Sequence, residues 1–302
     1  MNRLLSLSEP LLRHLPIFSK LGVLLLFFAC KDQQEQIPAY VTIQPFVVNA
    51  EGGAAWQKIE YGWLYVNNEF LGGYSLPSTV PVLAAGESNI VVFPGVKENG
   101  IANTPSVYPS LVKYTTKSTL ESGQTSAVQP VTAYDPDTKF AWALDRSTFD
   151  GGSSVVLQDR DGDSSTVFKI STAGGFSGKG VVLEVDTAHR FMEVSTEKAF
   201  LPIKADRETW LEMHYKNDIP FYLSLVGANT LGSEDFFPVF EFNTSANGGW
   251  NKIYINLTQT LVSSKLEKHG LYFRVLLSKD GSGKYPQTKG TVLLDNIRIM
   301  HY

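Results

Sequence analysis

Three acidic side chains, Asp159, Asp161 and Asp163, alternate within Asp159-Arg160-Asp161-Gly162-Asp163. Carboxylates spaced this way in a loop present the hard oxygen atoms that calcium takes. The run departs from an EF-hand, because Gly162 is out of place and Ile170 stands where the closing bidentate glutamate belongs. A solvated turn with no metal is the competing reading. Aromatic faces are the second chemical resource. Trp142, Trp250, Tyr222 and Tyr254 could stack on pyranose rings while polar neighbours bind the hydroxyls, or they could equally be packing residues. Nucleophile and metal motifs do not occur: there is no Gly-x-Ser-x-Gly and no His-Glu-x-x-His, and His189, His214, His269 and His301 lack metal-ligand spacing. Gly175-Phe-Ser-Gly-Lys-Gly180 departs from a phosphate loop and reads as a turn. A glycosidase needs only two carboxylates at the right separation, which leaves no sequence pattern to find.

The chain that must position these groups has 302 residues, 43% hydrophobic and 12% aromatic, enough to bury a substantial core. Net charge is -4 and the basic residues are scattered, which argues against a nucleic-acid partner. A single cysteine, Cys30, excludes an intramolecular disulfide. It ends the apolar run Leu21-Gly-Val-Leu-Leu-Leu-Phe-Phe-Ala-Cys30, which follows Arg3, Arg13 and Lys20. A basic lead-in before an apolar run too short to span a bilayer reads as a secretory signal peptide over residues 1–29.

Phe27-Phe28-Ala29-Cys30 resembles the lipobox of bacterial lipoproteins. That resemblance implies an acylated Cys30 (thioether diacylglycerol, with palmitate-type chains) at the head of the mature protein. Two or three acyl chains hold a protein stably on a membrane without crossing it. Residues 30–39 then form the lipidated cysteine and a polar tether. Lys31-Asp-Gln-Gln-Glu35 resembles the acidic export signals of Bacteroidota surface lipoproteins, which implies an outer-membrane protein facing the cell exterior; a periplasmic linker is the alternative.

From Tyr40 the pattern is one of strands. Residues 40–116 carry Tyr40-Val-Thr-Ile-Gln-Pro-Phe-Val-Val48, a Gly62–Val66 run, an Asn67-Asn68 hairpin signal and Ile90-Val-Val-Phe93. Their order resembles small PEGA-like or transthyretin-like β-sandwich domains, which serve as spacers or docking units. Residues 117–138, rich in Ser, Thr and Gly with Pro130 and Pro136, read as a linker. Residues 139–302 hold eight apolar runs at strand spacing, with only 257–268 suited to a short helix, which predicts a second β-sandwich or jelly roll. Ser177-Gly-Lys-Gly-Val-Val-Leu183, Trp250-Asn-Lys-Ile-Tyr-Ile-Asn-Leu257 and Gly290-Thr-Val-Leu-Leu-Asp-Asn-Ile-Arg-Ile299 resemble strands of galactose-binding-like jelly rolls, the fold of many carbohydrate-binding modules. Where that family has a structural calcium, an aspartate of the last strand helps bind it; Asp295 matches that place. Calcium is thus the one cofactor the sequence raises, beside the reading with none.

The fold expected is all-β: two tandem β-sandwich domains, the second a jelly roll. The leading functional expectation is a non-catalytic outer-membrane lipoprotein that serves an outer-membrane protein complex. A glycan-binding surface lipoprotein of a polysaccharide-uptake system is the alternative, and a glycoside-hydrolase-like enzyme stands third.

Overall fold

The computed structural model describes residues 35–50, 53–140, 157–196, 208–245 and 248–301, and over these the chain is all-β. The signal peptide, Cys30 and Trp142 lie outside the described residues. No helix among the described residues is long and apolar enough to cross a membrane.

The first sandwich holds β1 (Ala39–Ile43), β2 (Val47–Val48), β3 (Tyr61–Val66), β4 (Glu69–Ser75), β5 (Ser78–Val82), β6 (Gly86–Lys97), β7 (Pro105–Val107), β8 (Tyr114–Leu120), β9 (Thr125–Val128) and β10 (Val131–Thr132). One sheet runs β4-β3-β6-β7 with β8 also on β6; β5-β1-β9 forms a second sheet, and β10 pairs with β2. Every second residue of β3 is buried, so Leu64 and Val66 meet Val41, Ile43, Val80, Ile90 and Val92 in the core. Asn67 and Asn68 turn β3 into β4 with φ of 50° and 69°, the two consecutive left-handed positions of a type I′ hairpin.

The expected linker at 117–138 is corrected. Its residues complete β8 and supply β9 and β10, which pair in parallel with β1 and β2. Composition misled because β8 alternates exposed threonine and lysine with half-buried positions, so a half-solvated strand reads as a polar loop. Threonine is also a good strand former.

The second sandwich is a jelly roll. It comprises β11 (Lys139–Phe140), β12 (Leu157–Asp159), β13 (Lys169–Ser171), β14 (Gly180–Asp186), β15 (Phe191–Thr196), β16 (Thr209–Asn217), β17 (Phe221–Ala228), β18 (Glu234–Phe242), β19 (Asn251–Asn256), helix α1 (Thr258–Ser264), β20 (Gly270–Leu276) and β21 (Lys289–His301). A six-stranded sheet has the order β13-β14-β21-β16-β19, with β11 on β21; a five-stranded sheet has the order β12-β15-β20-β17-β18. Leu183, Leu211, Met213, Phe221, Leu223, Phe273, Val275 and Leu294 fill the space between them. The sequence pattern missed β15, β18 and the two-residue β11. Pro238 explains the second case: proline cannot donate to a ladder, and β18 is an edge strand where that loss is tolerated. A register shift between Leu223 and Ser224 accommodates it.

Both faces of β16 are buried. Leu211 and Met213 point into the jelly-roll core, while Trp210, Glu212 and His214 point the other way, into the first sandwich. There Tyr108, Leu111 and Val96 pack with Trp210, Tyr254 and Met300 in a third apolar cluster. Tyr108 meets the rings of Trp210 and Tyr254 edge-on at 5.3 and 4.8 Å. The first sandwich thereby covers the β16–β19 side of the six-stranded sheet's outer face, while Lys169 of β13 and Glu184 of β14 stay exposed and the outer face of the five-stranded sheet is open.

Candidate functional site: a groove on the open sheet

Along the five-stranded sheet, residues that alternate with the core point outward: Glu193 on β15, Tyr272 and Arg274 on β20, Tyr222 and Ser224 on β17. Register then aligns them. Glu193 lies opposite Arg274, Arg274 opposite Tyr222, and Tyr222 opposite Glu241 of β18, giving a transverse row of acid, guanidinium, phenol, acid across four strands. Tyr272 and Ser224 form the neighbouring row with Pro238. The face is a groove of about 740 Å³, walled on the β18 side by Phe236, Pro238 and Phe240. That volume suits a small ligand or a few rings of a longer one.

The groups constrain one another. The Tyr272 hydroxyl donates to Glu193, and Phe236, 46% exposed, meets the Tyr272 ring edge-on at 4.8 Å. Burial, then the hydrogen bond to Glu193, pushes the Tyr272 phenol well above its ordinary pKa. Tyr222 is raised too, by burial and by its hydrogen bond to Glu241. Both phenols therefore stay protonated, and that of Tyr272 holds the Glu193 carboxylate. The Arg274 guanidinium lies 5.0 Å from the Tyr222 ring centroid, a cation–π contact that fixes its donors over the groove floor. Arg160, ion-paired with Glu234, borders a second cleft of about 1080 Å³ with Asn229, Lys265 and Lys268.

Of the described residues that the sequence marks as a sugar platform, the structure brings only Tyr222 into this groove. Tyr254 is corrected: it is 2% exposed, and its hydroxyl donates to Gln57 Oε1 at 2.8 Å and accepts from Lys58 N at 2.8 Å. Trp250 is half-buried on the far side of the sandwich, edge-on to Phe176 at 5.8 Å. Glu193, Arg274, Phe236 and Tyr272 were missed as site residues. For Arg274 and Tyr272 a signal existed in the alternation of β20, but which of its two faces stays open depends on the six-stranded sheet packed across the core from it.

Three of the four acidic candidates, Asp295, Asp161 and Asp163, have other partners. Asp295 is fully buried; its Oδ2 accepts from the Phe176 and Ser177 amides at 2.8 and 3.1 Å, and its Oδ1 from the Asn296 amide at 2.7 Å. It ties the 175–180 turn to the last strand. Asp161 Oδ2 accepts from Glu193 N at 2.9 Å and Oδ1 from Asp163 N at 2.7 Å, and Asp163 Oδ1 accepts from Ser165 N at 2.9 Å, so the loop is a braced turn beside β15. Asp159 lies at the end of β12, with Oδ1 buried. Among the described residues no three His, Cys, Asp or Glu side chains converge as metal ligands.

Between the sandwiches lies a second polar constellation. Glu212, fully buried, accepts from Tyr108 at 2.7 Å, Tyr134 at 2.9 Å and Lys252 at 2.5 Å. Gln57 Nε2 donates to the Tyr134 hydroxyl at 2.7 Å. Burial works against the Glu212 charge, but Lys252 and Arg298 outweigh it and hold the carboxyl below its ordinary range. The group stays ionised and structurally occupied. His214 lies beside it, stacked on Phe176 at 4.0 Å and edge-on to Trp56 at 6.5 Å. Burial first, then the Lys252 and Arg298 charges, push its pKa down to about 2.

No protein-family model matches the chain, and no curated protein matches it. Among solved structures it is similar to the xylan-binding CBM22-1 domain from Paenibacillus barcinonensis Xyn10C, with 12% identity and a TM-score of 0.37 over 54% of this chain and 94% of that one. It is also similar to the family 11 carbohydrate-binding module of the cellulase Lic26A-Cel5E of Clostridium thermocellum, with 12% identity and a TM-score of 0.38 over 53% and 94%. A third is TmCBM61 in complex with β-1,4-galactotriose, at 11% identity and a TM-score of 0.30 over 50% and 90%. Scores this low carry no argument about activity.

Proposed function

We propose that the protein is a non-catalytic glycan-binding protein that holds a polysaccharide chain in the groove on its five-stranded sheet. The row Glu193, Arg274, Tyr222, Glu241 carries this reading. A pyranose offers apolar C–H faces and an edge of hydroxyls; the groove offers the rings of Phe236 and Tyr222 beside two carboxylates and a guanidinium. Rings take the faces, and charged groups take paired hydroxyls in charge-assisted hydrogen bonds. Glu193 is already held by the Tyr272 hydroxyl, so binding orders few new side chains on that side of the groove. A glycan suits this face better than a protein partner, because stable protein interfaces centre on apolar area depleted of charge.

The chain is further proposed to be an outer-membrane lipoprotein, tethered through acylated Cys30 and facing the cell exterior, so that the groove meets polysaccharide outside the cell. The lipobox-like run before Cys30 supports that placement. Replacing Cys30 with alanine is expected to move the protein out of the membrane fraction with its fold unchanged; an unchanged membrane fraction refutes the anchor.

Affinity gel electrophoresis of the full chain tests the groove, with xylan, mixed-linkage β-1,3-1,4-glucan, β-1,4-galactan and glucomannan cast in the gel. At least one is expected to retard the protein, and Tyr222→Ala and Arg274→Ala are each expected to weaken that binding about tenfold, the loss of one stacking or charged contact. Retardation equal to that of the unsubstituted chain in both variants overturns the reading.

A further inference from the structure

The sheet β4-β3-β6 of the first sandwich, like the five-stranded sheet, turns one face away from its core. On that face stand Trp63 and Tyr65 of β3, Phe70 of β4 and Phe93 of β6, alternating with the buried Leu64, Val66 and Val92. Their rings form one contiguous row. Trp63 and Phe70 are nearly parallel, 16° apart with centroids at 5.7 Å; Tyr65 is 5.0 Å from Phe70 and 5.5 Å from Phe93.

Glycines shape this row. A Cβ at Gly73 of β4 would sit 3.2 Å from the Trp63 ring, and one at Gly95 of β6 only 2.9 Å from its Nε1. The indole thus reaches over bare backbone on both neighbouring strands and lies flat on the sheet. Its buried Nε1 has no acceptor, so the ring is placed for its face and not for its N–H, which a packing tryptophan ordinarily satisfies.

We infer that Trp63, Tyr65, Phe70 and Phe93 form a second glycan-binding platform, independent of the groove. Size selects the occupant. Phe70 is 47% exposed and the other three rings are half-buried, so the row offers at most about 300 Å² at roughly 200 Å² per ring. A second copy of the chain or a folded partner needs about 800 Å² per side. A few pyranose rings need far less, and they match the polar fringe: Thr115 of β8 is exposed opposite Val91, and the Lys113 amino group lies 5.4 Å from the Phe93 centroid. With two sites on one chain, a long polysaccharide that engages both gains avidity with no new contact.

The test uses the full chain and the same four polysaccharides. A groove variant, Tyr222→Ala with Arg274→Ala, is expected to remain retarded by at least one of them. Adding Trp63→Ala and Phe70→Ala should abolish that remainder, about tenfold for each ring removed. Phe70→Ala alone, at the most exposed ring, should give its share of the loss without disturbing the fold, checked by an unchanged thermal midpoint. If the groove variant is not retarded, or is retarded less than the unsubstituted chain but equally with and without the platform substitutions, the platform is refuted while the groove stands; retardation of all variants equal to that of the unsubstituted chain refutes both. If the groove variant binds as tightly as the unsubstituted chain and the platform substitutions remove all binding, the groove reading falls and the platform stands. No retardation of the unsubstituted chain by any of the four overturns both.

Discussion

Between pH 7 and 4.5, acidification should weaken this protein chiefly through one residue. His214 is 2% exposed, packed between Phe176 and Trp56, with Lys252 and Arg298 contributing positive charge nearby and Asn296 Nδ2 3.3 Å from its Nδ1. The folded pKa of about 2 lies below the ordinary 6.5, so the native state holds the ring neutral while the unfolded chain takes up a proton below pH 6.5. Stability is therefore whole above about pH 6.5 and declines as pH falls, by 2.303RT, or about 1.36 kcal/mol, for each unit. Integrated from pH 7 to 4.5, the loss is about 2.6 kcal/mol, or roughly 5–10 °C in thermal midpoint for a chain of this size. The assay is urea unfolding at half-unit pH intervals on the unsubstituted chain and on His214→Gln. Glutamine cannot titrate, so its curve should lie lower at pH 7 from lost packing and run flatter toward pH 4.5. Parallel curves across that window would refute the linkage, and with it the reading that the first sandwich seals His214 against protonation.

Glu212→Ala leaves Lys252 buried without its counter-ion, and Tyr108 and Tyr134 without their acceptor; a loss of about 3–5 kcal/mol is expected in urea unfolding. Asp295→Ala frees three backbone N–H groups; a destabilisation of about 1–3 kcal/mol is expected, with faster amide exchange at Phe176 and Ser177 in hydrogen-exchange measurements. Added calcium should leave the thermal midpoint of the full chain unchanged if the Asp161 and Asp163 oxygens serve only the turn; a rise of several degrees would mean that they also take an ion.

What the sequence determined by itself was the local order. Alternation of apolar and polar residues marked most strands of both sandwiches, Asn67-Asn68 marked a hairpin, and the run 257–268 marked the place of α1, because those signals depend only on neighbours in the chain. Tertiary structure decided what faces what. Ser and Thr in 117–138 were misread because parallel pairing with β1 and β2 comes from residues some 85 positions away. The same holds for the site. Tyr222 and Tyr254 look alike in sequence, each an aromatic in an alternating strand, yet one lies in an open groove and the other is buried at a junction. The difference lies in the first sandwich, which covers one outer face of the jelly roll with Tyr108, Tyr134 and Gln57 and leaves the other to solvent. Glu212 carried the only local hint, a carboxylate in a strand whose partners are Lys252 and Arg298, since a charge in such a place is stable only when something covers and pairs it.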